Sequence, residues 1–230
     1  MPGSWEVADS NRVLVAILHT ETTTVEWGFG IRRLKVPGRE ELRLWEPILP
    51  LAGMPFDHAR NTACHAMLQR GAEWLFFLDS DVVAPNDTIP RLIAHNKPLI
   101  SGIYHRRSPP KSVPVCQRNG TWAPIRPNTG MHEVDVVGAG CLLVHRTVIE
   151  RLPPQRPQAG KHWYDWRVDM QGIPNLPPGY CMSEDFTFCI AVRQQLGIPT
   201  IVDSSIQCRH LGYAESGYGT FEPLHTGPSL

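Results

Sequence analysis

Apolar residues run along this chain in short uninterrupted blocks, separated by polar and proline-rich stretches. Residues 12–19 read Arg-Val-Leu-Val-Ala-Ile-Leu-His and give way to Thr20-Glu21-Thr22. A block of that length and β-branched content predicts a strand buried on both faces. A second block, Glu-Trp-Leu-Phe-Phe-Leu over 73–78, ends at Asp79-Ser80-Asp81. Between the two, Asp57 can cap a helix through Ala59, Ala63, Ala66, Met67 and Leu68, and Gly71 is its natural stop. Residues 21–55 predict no definite element.

Further on, a helix is expected from about Asp87 to His95 with Leu92 and Ile93 inward, then a short strand over 97–102. The stretch 104–126 is rich in proline and basic residues and predicts loops with short hairpin strands. Val134–Val137, Gly138-Ala139-Gly140 and Cys141–His145 read as strand, break and strand. Thr147 suits the cap of a short helix ending near Leu152, and 153–179 reads as a loop over a site or an insertion. Ser183 caps a helix through Phe186, Phe188 and Leu196 that Gly197 ends, and 198–202 is a last strand. The alternation of strands and helices predicts an α/β fold with a largely parallel sheet.

At 230 residues with 42% hydrophobic and 19% charged content, the chain can form one full core. Its 22 prolines point to long irregular connections. Lys+Arg and Asp+Glu balance at 22 each, so net charge predicts no polyanionic partner. The balance is uneven, however. No acidic residue lies between Asp87 and Glu133, whereas Arg91, Lys97, Arg106, Arg107, Lys111, Arg118 and Arg126 do. That field suits a diphosphate or another polyanion, or else belongs to a solvated basic loop. The six cysteines form no CxxC pair and are read as reduced thiols. No signal peptide or membrane-spanning run is evident, so a soluble protein is expected.

The candidate chemistry gathers where strands end, because ligands of open α/β sheets bind at the carboxyl edge. Two carboxylates one residue apart after a buried strand concentrate negative charge that a cation can balance. Oxygen ligands of that kind suit Mg²⁺ or Mn²⁺ bridging to phosphate. Asp79-Ser80-Asp81 can equally be a strand-ending turn. Glu184-Asp185 lies in a first helical turn, where the dipole favours a carboxylate. Such a group either deprotonates an attacking hydroxyl or merely stabilises the helix. His210 could complete a metal site with Asp81 as a neutral imidazole ligand, or be structural. The Gly138-Ala139-Gly140 break would let backbone approach a ligand closely.

In order, Asp57-His58-Ala59-Arg60-Asn61, Trp74–Asp81, Val137–Cys141, Ser183-Glu184-Asp185 and His210 resemble the GT-A fold glycosyltransferases. The likeness is greatest to the small family 2-like enzymes frequent in phage and bacterial genomes, and covers roughly residues 12–212. It implies a Rossmann-like three-layer sandwich as a single domain, with a nucleotide-binding half over 12–102. An acceptor and catalytic half over 103–212 and a tail over 213–230 would follow. It implies a nucleoside-diphosphate sugar as donor, foremost a UDP-sugar, with Mn²⁺ or Mg²⁺. Thr20 and Glu21 would contact the base, and Arg60 the base or diphosphate. Asp79 would face the ribose beside Ser80, Asp81 and His210 would hold the metal, and Gly138, Ala139 and Gly140 would lie along the donor sugar or acceptor. Asp185 matches the catalytic base of inverting members. Many members read Pro-Thr-Tyr-Asn where this chain has His19-Thr20-Glu21-Thr22, which leaves the preferred nucleotide open.

On the acceptor side Arg106, Arg107, Trp122 and Glu184 are candidates. A phage-type relative would glycosylate hydroxymethylated pyrimidines of double-stranded DNA, which the basic stretch suits. A saccharide, lipid-linked or protein acceptor is the competing expectation. A nucleotidyltransferase or a non-catalytic sugar- or nucleic-acid-binding module are rivals of other classes. The expected location is the cytoplasm, or a host's cytoplasm.

Overall fold

The computed structural model describes residues 12–19, 23–37, 48–107, 113–154, 162–168, 181–214 and 217–221. Thr20, Glu21 and most of the 153–179 stretch lie outside them. Two of the expected blocks form neighbouring interior strands of the sheet. Strand β1 (Val13–His19) pairs in parallel with β3 (Trp74–Asp79), and on its other side with β2 (Ile48–Ala52). Strand β2 carries Pro50 and is the edge of the sheet, where a missing N–H can be tolerated.

The seven-stranded sheet has the order β2-β1-β3-β10-β5-β13-β8, with β5 (Leu99–Ile103), β8 (Met131–Val134), β10 (Cys141–His145) and β13 (Thr200–Gln207). Strands β1, β2, β3, β5 and β13 run the same way, while β10 and β8 oppose them. The largely parallel sheet expected from the pattern is therefore present, with an antiparallel strand inserted beside β3.

Alternate residues of the sheet feed two cores. Leu14, Ala16, Leu75 and Phe77 face helices α2 (Phe56–Arg70), α4 (Arg146–Arg151) and α5 (Glu184–Leu196). Val13, Val15, Trp74 and Phe76 face α1 (Val25–Arg33) and α3 (Thr88–Ala94) on the other side. The result is a three-layer sandwich. Trp74, Phe76 and Phe77 are fully buried, each contributing about 1.5–3 kcal/mol by removal from water.

Helix ends follow their sequence signals in part. Gly71 and Gly197 both take the left-handed conformation that stops α2 and α5, at φ of 67° and 66°. Asp57 lies inside the first turn of α2, with Pro55 as N-cap, and His145 rather than Thr147 caps α4. Ser183 is the N-cap of α5, but its hydroxyl donates to Asp185 instead of capping a backbone amide.

Smaller sheets complete the molecule. Strands β6 (Cys116–Arg118) and β7 (Thr121–Trp122) form the expected hairpin, joined by β9 (Val136–Val137). A short pair links β11 (Arg167–Val168) and β12 (Cys181–Met182). Strand β4 (Val82–Val83) pairs with β14 (Arg209–Ala214), which pairs with β15 (Gly217–Phe221) within the stretch expected as a tail. All six cysteines are free and five are buried. Among the described residues no helix is long and apolar enough to cross a membrane.

Candidate active site

Asp79 is the last residue of β3, and its backbone is fixed on both sides. Its N–H donates to Gly140 O at 3.2 Å, and its carbonyl accepts from Trp27 Nε1 at 3.0 Å. Ser80 N–H donates to Leu18 O at 3.0 Å, so the Asp-Ser-Asp turn leaves the sheet at a defined angle. The buried guanidinium of Arg60 lies beneath. Its Nε donates to Glu184 Oε1 at 3.0 Å, while Nη1 reaches Ala139 O and Nη2 reaches Asp79 Oδ1, each at 3.4 Å. Burial opposes the charge on Arg60, but Asp79, Glu184 and Asp185 outweigh it and raise its pKa. Burial pushes the Asp79 carboxyl up, partly offset by Arg60.

Arg60 was expected against the donor. At 2% exposure it instead faces protein acceptors, a counter-ion to the carboxylates of the site. Glu184, expected on the acceptor side, is buried against Arg60, and burial with the neighbouring Asp185 pushes its pKa up to about 6.

Asp185 stands across the 138–140 loop. Its Oδ1 accepts from Ser183 Oγ and from Phe186 N–H at 2.8 Å, and among the described residues its Oδ2 accepts only from Ala139 N–H, at 3.2 Å. Oδ1 is thus the saturated oxygen, and Oδ2 keeps lone-pair capacity for a further proton.

The other half of the site depends on strand pairing. In β13 the register with β5 shifts between Asp203 and Gln207, and the strand ends at Gln207, just before β14. Strand β14 then sets His210 opposite Val82 and donates Leu211 N–H to Asp81 O at 2.7 Å. His210 Nε2 comes to lie 3.4 Å from Asp81 Oδ2. Its Nδ1 is 2.7 Å from the carbonyl of His105, which can only accept. Nδ1 therefore carries a proton, and Nε2 is the ring nitrogen that faces Asp81. Arg107 Nη1 also reaches Asp81 Oδ2, at 3.0 Å. Burial would raise the Asp81 pKa, but His210 and Arg107 together hold it below the ordinary carboxylate range.

One carboxylate and one imidazole facing each other form a donor set that Mn²⁺ accepts. Among the described residues no group of three or more His, Cys, Asp or Glu could hold a metal ion.

The glycines of the 138–140 loop have a reason that the sequence did not reveal. A Cβ at Gly138 would lie 2.3 Å from the Tyr104 hydroxyl, and one at Gly140 would lie 2.8 Å from Tyr104 Cζ. The space they leave is filled by a phenol.

The basic stretch is dispersed. Arg91 pairs with Asp87 and Ser205, Arg106 lies over Trp122 at 4.0 Å, and Arg118 donates to Glu133 O. Trp122 in turn leans on Phe186, with ring centroids 6.1 Å apart, beside Asp185. A cavity of about 630 Å³ opens on the far side of β4, lined by Val25, Phe29, Val83, Pro85 and Arg209 among others. None of the site residues named above lines it.

No protein-family model matches the chain, and neither does any curated protein. Solved structures do match. A197 from STIV aligns at a TM-score of 0.54 and 14% identity, covering 95% of this chain and 98% of that one. GalNAc-T7, crystallised with UDP, GalNAc and Mn²⁺, aligns at 0.54 and 12% identity over 91% of this chain, which spans 46% of that protein. The fold is accordingly that of the GT-A group, a Rossmann-like three-layer α/β sandwich.

Proposed function

We propose that the chain is a metal-dependent glycosyltransferase that moves a sugar from a nucleoside-diphosphate sugar, foremost a UDP-sugar, to an acceptor hydroxyl with inversion. The observation that carries this reading is the pair Asp81 and His210, whose Oδ2 and Nε2 face each other at 3.4 Å on the carboxyl edge of the sheet. Asp185 lies across the 138–140 loop from it. The fold shared with GalNAc-T7, a protein crystallised with UDP, GalNAc and Mn²⁺, supports the same donor chemistry.

In this reading Asp79 faces the ribose, with Ser80 beside it and Thr20 and Glu21 at the base. Asp81 and His210 hold Mn²⁺ or Mg²⁺, which when bound would neutralise charge on the diphosphate. Asp185 Oδ2 takes the proton of the acceptor hydroxyl as its oxygen bonds to the anomeric carbon. The bond from that carbon to the diphosphate oxygen breaks, and the nucleoside diphosphate leaves with the electron pair. Residues 12–102 serve the donor and 103–212 the acceptor within one domain, at home in a cytoplasm.

For the acceptor, Arg106 stacked on Trp122 beside the first turn of α5 supports a group with phosphate or a planar base. Hydroxymethylated pyrimidine in duplex DNA, as in small phage enzymes of family 2 type, meets that description. The test is donor hydrolysis across a panel of nucleotide sugars with and without Mn²⁺, following a thermal-shift screen. Manganese-dependent release of one nucleoside diphosphate is expected, and no turnover of any donor refutes the reading. Binding to duplex DNA with a steep salt dependence would separate that acceptor from a saccharide.

A further inference from the structure

Between the two halves of the site lies a residue that neither the DxD pattern nor the acidic pair on α5 brings to notice. Tyr104 follows β5 and is 5% exposed. Its hydroxyl accepts a 3.0 Å hydrogen bond from Gly140 N–H, a buried donor with no other recorded acceptor among the described residues. The 138–140 loop is moulded on the phenol, since a Cβ at either glycine would overlap it. The same loop contacts Asp185 through Ala139 N–H and Arg60 through Ala139 O. On its other side the ring meets the His210 imidazole edge to face, with centroids 5.2 Å apart and planes at 88°.

We infer that Tyr104 is a positioning residue that sets the distance between the proton acceptor and the metal side of the site. Its hydroxyl fixes the loop that orients Asp185, and its ring fixes the face of His210. This rests on the function proposed above. The two contacts are separable, because the first needs only the oxygen and the second only the ring. A loop shift of a few tenths of an ångström would move the Asp185 oxygen, and misplacement of reacting groups is penalised steeply.

The experiment compares Tyr104→Phe with Tyr104→Leu in the full chain, by three readouts. These are kcat and donor KM, Mn²⁺ affinity by electron paramagnetic resonance, and hydrogen exchange at the Gly140 amide. Tyr104→Phe should lower kcat about 10- to 100-fold with donor KM within about threefold, speed Gly140 exchange and leave Mn²⁺ affinity unchanged. Tyr104→Leu should also weaken Mn²⁺ binding at least several-fold. Wild-type kcat in Tyr104→Phe despite faster Gly140 exchange overturns the proposal, and so does wild-type Mn²⁺ affinity in Tyr104→Leu. If the wild-type protein turns over no donor while the metal and exchange readouts behave as stated, the proposed reaction falls and the structural link through Tyr104 stands.

Discussion

His210 Nε2 faces Asp81 Oδ2 at 3.4 Å, two residues far apart in the chain brought together by the two-residue ladder between β4 and β14. A carboxylate oxygen and an imidazole nitrogen so placed are ligand types that Mn²⁺ takes. Asp81→Asn and His210→Ala should each weaken Mn²⁺ binding at least tenfold, about 1.4 kcal/mol, by calorimetry in the presence of UDP. Unchanged affinity in both would remove the metal from this position.

Asp185 is held by donors on both oxygens yet keeps capacity on Oδ2. In the proposed reaction, Asp185→Asn removes the proton acceptor while keeping the size of the side chain. Turnover should fall about 10²- to 10⁴-fold, with the affinity for UDP nearly unchanged. Equal loss of turnover and UDP affinity would show that Asp185 serves binding instead.

Because Tyr104 is buried on all sides, it cannot yield to a new methyl group. Gly138→Ala and Gly140→Ala should each destabilise the fold by about 1–3 kcal/mol in urea titration, with Gly138 the worse of the two. Neutral outcomes at both positions would mean that the loop is free to move off the phenol.

Glu184 carries a pH signature. Its folded pKa of about 6 lies above the ordinary 4.5, through burial and the neighbouring Asp185, so the folded chain binds this proton more tightly than the unfolded one. The stability this contributes is complete below about pH 4.5 and is lost as pH rises through 6. The full swing is about 2 kcal/mol. Glu184→Gln keeps an acceptor for Arg60 Nε and cannot titrate, so its melting temperature should decline less than that of wild type between pH 4.5 and 6. Parallel profiles for the two proteins would contradict this.

Elements whose neighbours are implied by composition were legible in the sequence. The blocks at 12–19 and 73–78 had to be buried strands, and Gly71 and Gly197 marked their helix ends. Helix α1 escaped notice because Trp27 is its only buried residue, which leaves no apolar stripe to read. Strand β2 escaped because Pro50 argues against a strand unless it is known to be an edge. The site residues were nameable by type, but their contacts were not. Arg60 reads as a donor-binding residue until three acceptors are found around it, and those acceptors come from distant segments. Tyr104 sits in a stretch whose prolines and arginines read as loop, and nothing local marks it as the partner of two glycines far downstream.

Strands β14 and β15 lie outside the seven-stranded sheet. Strand β14 is joined to the molecule by two residue pairs with β4, the Leu211–Asp81 and Cys208–Ile103 hydrogen bonds, the His210 Nδ1–His105 carbonyl contact and the buried Leu211 side chain. Each of these pairings and hydrogen bonds joins it to a segment from the first half of the chain, so His210 meets Asp81 through seating of the whole strand. In the proposed function, metal affinity would follow that seating, and a substitution that tightens it would raise the apparent affinity without touching a ligand.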